Sequence, residues 1–158
     1  MPERSAPVPA HPAADAIVLG FDVGARRIGV AVGSALGGAR AVAVVDVREG
    51  GPDWTSIERL HREWRPAGLV VGDPMTLDGG DQPIRRRARA FAGELKARFR
   101  LPVVMVDERS SSVEAAQRFA RDRAAGNRRR RDAATLDAAA AAVIVERWLA
   151  APEDATPL

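Results

Sequence analysis

The chain of 158 residues contains no cysteine. Disulfides and thiolate-held metals are excluded, and a thiol-free chain suits a reducing compartment, so the cytoplasm is the expected location. Lysine is almost missing: Lys96 is the only one, and arginine supplies the rest of the basic charge. Histidine is confined to His11 and His61, which suggest no metal site. No apolar run approaches the roughly 20 residues that a membrane-spanning helix needs, so no membrane partner is expected. Residues 1–14 are rich in proline and alanine and lack the apolar stretch of a secretory signal. They read as a disordered tail, and residues 151–158 as a flexible C-terminal tail. That leaves 15–150 as a single domain, without internal repeats.

What remains is a globular composition, 46% hydrophobic and 28% charged, in a chain long enough for one real core. The net charge is only +3, so the form of the basic charge is more telling than its amount. Planar arginine forks bind phosphate bidentately, which favours a nucleic-acid partner. A codon bias toward arginine and alanine explains the overall ratio equally well. It explains less well the clusters Arg85–Arg87 with Arg89, and Arg128–Arg131.

Apolar, β-branched segments at Ile17–Asp22, Ile28–Val32 and Ala41–Val47 predict three strands, separated by the turns Gly24-Ala25-Arg26 and Gly37-Gly38. Asp53 is a candidate N-cap for a helix carrying Trp54, Ile57, His61 and Trp64, closed by Pro66. Leu69–Gly72 is a fourth strand. A helix from Pro83 or Ile84 to about Arg100 has the inward stripe Ile84, Ala88, Phe91, Leu95 and Phe99. Pro102–Val106 is the fifth strand. Ser111 and Glu114 form a capping box for a helix to about Ala124, and a last helix covers roughly Thr135 to Ala150. An antiparallel meander followed by alternating helices and strands implies an α/β fold. Its mixed five-stranded sheet has three antiparallel strands, then parallel ones, with helices on both faces.

Three acidic points stand where apolar elements begin or end. Asp22 follows the first strand, where ligands bind in open α/β sheets. Asp107 and Glu108 follow the fifth strand, and alternation puts only one of them toward a given face. Asp137 heads a helical face continued by Ala141, Ile144 and Trp148, so it points toward the core. A turn aspartate, a strand-end ion pair and an N-terminal helix acid are the competing structural readings. Together, carboxylates on rigid supports match a metal-dependent phosphodiester site. Arg26, Arg27, Arg109, Arg128, Arg129, Arg130 and Arg131 would then hold the polyanion.

Four stretches together carry a resemblance: Phe21-Asp22-Val23-Gly24-Ala25-Arg26-Arg27-Ile28-Gly29-Val30-Ala31-Val32; Val70-Val71-Gly72-Asp73-Pro74 with Leu77-Asp78-Gly79; Val106-Asp107-Glu108-Arg109; and Asp137 with its alanine-rich helix. From Ile17 to Leu149 the chain resembles the YqgF/RuvX family, described as Holliday junction resolvases and as nucleases of pre-16S rRNA processing. The resemblance implies an RNase H-like fold and a Mg²⁺ or Mn²⁺ site on Asp22, Glu108 and Asp137, with Glu108 favoured over Asp107. It implies a hydrolytic endonuclease acting on structured nucleic acid. Precursor rRNA is favoured and branched DNA is the alternative, with the ribosome or processing factors as further partners and a monomer or homodimer as the active form. A non-catalytic RNA-binding factor on the same fold is the rival class. The chain departs from the family's usual Gly-Leu-Pro at Gly72-Asp73-Pro74, which adds a carboxylate near the site. It also carries Ser110-Ser111-Ser112 where the family has Leu-Thr-Thr or similar.

Overall fold

The computed structural model describes residues 7–74, 82–107 and 132–158. Its strands are β1 (Val18–Val23), β2 (Arg27–Ser34), β3 (Gly38–Arg48), β4 (Gly51–Pro52), β5 (Gly68–Asp73), β6 (Val103–Asp107) and β7 (Thr156–Pro157). The helices are α1 (Trp54–Trp64), α2 (Pro83–Phe99) and α3 (Asp132–Ala150). The strands form one sheet in the order β4-β3-β2-β1-β5-β6-β7. β1, β2 and β3 are antiparallel neighbours, while β1, β5 and β6 run parallel. All five expected strands are present. The two additional strands are two-residue edges, too short to carry a periodicity. β7 belongs to the segment expected as a flexible tail: Thr156 pairs antiparallel with Met105, and Ala155 is buried.

Alternation along the strands divides the core into two layers. Leu19, Phe21 and Val23 of β1 face one side with Ile57 of α1 and Phe91 and Leu95 of α2. Phe21 and Phe91 meet edge to face at 5.3 Å. Val18 faces the other side, with Val70, Val104, Ile144 and Trp148. Burying side chains of this size contributes about 1.5–3 kcal/mol each. Helices therefore cover both faces, as the parallel strands require.

The α3 layer is unusually close to the sheet. A Cβ on Gly20 or Gly33 would run into Val145, and one on Gly29 would meet the backbone of Asp137. The helix answers with its own small residues, Ala138 to Ala142, all buried. Small residues on both sides let backbone lie almost on backbone, and that approach fixes where the Asp137 turn of α3 sits.

Capping locks the other two helices. Asp53 accepts hydrogen bonds from the Ser56 amide at 3.3 Å and the Ser56 hydroxyl at 2.8 Å. These bonds hold its carboxyl below the ordinary 3.8. α1 and α2 each end on an arginine in the left-handed region, Arg65 at φ 45° and Arg100 at φ 55°. Their amides return to the His61 and Lys96 carbonyls at 2.9 Å.

Candidate active site

Asp22 has the same phase on β1 as Val18 and Gly20, so its side chain belongs to the α3 face. Its register partner across the β1–β2 pair is Gly29. Asp137's backbone lies directly over Gly29. Two acids 115 positions apart in sequence thus lie on one face of the sheet, near the carboxyl end of β1. The glycine between them is the reason they can.

Arg27 lies two residues before Gly29 on β2, in the same phase. Its Nε donates to Asp137 Oδ2 at 2.8 Å. Both side chains are partly open, 44% and 32% exposed, so the pair sits at the mouth of the site. The sequence reading gave Arg27 to nucleic acid; its direct partner here is one of the candidate ligands. Arg26 is exposed at the turn, and its carbonyl accepts from the Val47 amide at 2.8 Å.

The other acids separate by phase. Val104 and Val106 of β6 face α3, while Val103 and Met105 face α2. Asp107 continues the α2 phase. Asp73 pairs with it in register and turns the same way, toward α2. There Arg85 Nε donates to Asp73 Oδ1 at 3.0 Å and Nη2 to Oδ2 at 3.4 Å. Both side chains are only 12% exposed. Asp73 is therefore an anchor for the start of α2, on the sheet face opposite Asp22. Glu108, Arg109 and Arg128, Arg129, Arg130 and Arg131 lie outside the described residues, as does the expected helix at Ser111.

Sequence reasoning missed Arg147, in the last turn of α3. Its Nη1 donates to the Asp107 carbonyl at 3.3 Å, tying α3 to the last residue of β6. It missed the role of Gly29 as well, although the Gly-x-Ala-x-Gly spacing of β2 was visible.

Among the described residues no group of three metal-binding side chains is complete. Asp22 and Asp137 bring only carboxylate oxygens to this face, the donor type that hard divalent cations take.

The sheet order, the crossing of α3 over β1 and β2, and the acids at the strand ends define an RNase H-like α/β protein. Two solved structures of low sequence identity share the fold. One is T. thermophilus RuvC in complex with Holliday junction substrate, at a TM-score of 0.53 and 21% identity, covering 90% of this chain and 99% of that one. The other is a Thermus thermophilus RuvC structure, at 0.51 and 19% over the same shares. The sequence model of the RuvX family, described as Holliday junction resolvase, matches residues 16–151, and the chain belongs to this family. Two curated relatives carry the name "Putative pre-16S rRNA nuclease". One, from Xanthomonas campestris pv. campestris (strain 8004), is 71% identical over 100% of this chain and 99% of its own length. The other, from Xanthomonas axonopodis pv. citri (strain 306), is 69% identical over the same shares.

Proposed function

We propose that this protein is a hydrolytic endonuclease that cuts precursor 16S rRNA in the cytoplasm, using Mg²⁺ or Mn²⁺. The observation that carries the reading is the stacking of the Asp137 backbone on Gly29, which brings Asp137 and Asp22 to one edge. Glu108, the residue after β6 in sequence, is the proposed third ligand. A divalent cation held there would activate water and neutralise charge on the phosphate. The chain's own residues do the rest. Asp22 is supported by the β1–β2 ladder and Asp137 by the buried α3. Arg26, Arg109 and Arg128 to Arg131 are the proposed phosphate contacts. Arg27 balances Asp137 until a cation or phosphate arrives. The names of the relatives support precursor rRNA as the substrate; a ribosomal particle is the proposed carrier of that RNA. A monomer suffices for a single RNA strand, whereas symmetric cleavage of a junction calls for two related sites.

The test pairs the native protein with Asp22→Asn on a labelled precursor rRNA 5′ region and a labelled four-way DNA junction. Mg²⁺, Mn²⁺ or EDTA is added to each. The expected result is metal-dependent cutting of the RNA, reduced at least about a thousandfold in the variant, while RNA binding and melting temperature hold. Cutting confined to the junction would replace the substrate. Native-like turnover by Asp22→Asn would overturn the site.

A further inference from the structure

On the sheet face opposite Asp22 lies a cavity of 380 Å³ that the cleavage chemistry does not use. Its volume falls in the range of about 300–1,000 Å³ typical of small-molecule sites. The β1–β2 turn forms one wall, through Val23, Gly24 and Ala25. The β3–β4 hairpin forms a second, and Arg87, Ala90 and Glu94 on one face of α2 form a third. The floor is apolar, from Ile28, Phe91 and Trp54. Trp54 stacks on Phe91 with ring centroids 5.4 Å apart, and Arg98 covers the Trp54 ring at 4.0 Å. The indole is therefore a fixed part of the floor, and the cavity is formed before any ligand arrives.

We propose that this cavity receives one unstacked nucleobase of a single-stranded nucleic acid. Three features select that ligand. The rim is mixed in sign, with Arg48 and Arg87 against Glu49 and Glu94. A base edge, which offers both acceptors and amine donors, suits such a rim better than a bare phosphate does. The floor is aromatic and apolar, which suits a flat ring system and not a sugar-phosphate. The wall begins at Val23, the residue after Asp22 at the end of β1, so a nucleic-acid strand crossing this edge passes from one face to the other. Splaying single bases into pockets is how proteins usually read RNA sequence. The pocket would thus give the enzyme a preference for the base near its cleavage point. This assignment rests on the nuclease reading for the identity of the polymer.

The experiment maps backbone amide shifts of the full chain in EDTA, where cleavage does not interfere. The probes are a single-stranded RNA tetranucleotide and the same tetranucleotide with all bases removed. The intact RNA is expected to shift the Gly24, Ala25 and Gly51 amides, and the abasic one to leave them in place. Ala90→Trp fills the cavity from the exposed side of α2 and should weaken binding of the intact RNA about tenfold. Arg87→Glu should weaken it without filling the cavity, and melting curves confirm that both variants are folded. Equal shifts with the abasic RNA, or native affinity in both variants, would overturn the pocket. Normal cleavage without these shifts would remove the pocket and leave the nuclease. Base-dependent shifts without cleavage of any substrate would keep the pocket and remove the nuclease.

Discussion

Gly29 holds the site together by having no side chain. A methyl group there would stand where the Asp137 backbone lies, and neither a central strand nor a buried helix yields easily. Gly29→Ala is therefore expected to cost about 1–3 kcal/mol, the usual penalty of overpacking, read from urea unfolding. It should also move Asp137 away from Asp22 and lower cleavage more than the loss of stability explains. A variant with native stability and native cleavage would show that the close approach is dispensable. Asp22 stood out in the sequence because it ends an apolar run; Asp137 stood out as the acid of an apolar helical face, although α3 begins five residues earlier, at Asp132. The glycine was legible only as part of a strand, because contact with residue 137 is a tertiary fact that no local spacing encodes. The pairing of Arg27 with Asp137 was invisible for the same reason.

Among the elements, α2 begins against the electrostatic rule. Arg85 stands near the helix N-terminus, where the macrodipole disfavours a cation. Its pairing with Asp73, at the end of β5, offsets this and ties the helix to the sheet. Because both side chains are nearly buried, removing one strands the other. Arg85→Ala is expected to cost about 3 kcal/mol in chemical unfolding. The double variant Asp73→Leu with Arg85→Leu should recover most of that loss. A cost below about 0.5 kcal/mol for Arg85→Ala would mean the pair is a surface contact. From the sequence, Asp73 was simply an additional acid near the site. Strand phase shows why it is a structural one: Asp73 shares the α2-facing side with Leu69 and Val71. The long elements were read nearly to their boundaries, since α1, α2 and β1 have clear periodicities. β4 and β7 were not, since two residues have no period and their pairing is decided by neighbours across the sheet.

For the whole molecule, the two-layer arrangement separates two tasks. The α3 face gathers Asp22 and Asp137, and the α1–α2 face carries the anchor Asp73–Arg85 and the apolar cavity. No helix among the described residues is long and apolar enough to cross a membrane. Among the described residues, the order of strands and helices was legible because hydrophobic rhythm changes where the meander gives way to alternating units. The meeting of residues 22 and 137 followed only from the fold. The most direct measurement is the Mn²⁺ affinity of the native protein and of Asp22→Asn, Asp137→Asn and Asp107→Asn, by titration calorimetry without substrate. Loss of at least about tenfold in the first two variants, with Asp107→Asn near native, is the predicted result. Native affinity in both Asp22→Asn and Asp137→Asn, or a loss confined to Asp107→Asn, would contradict the shared site on the α3 face.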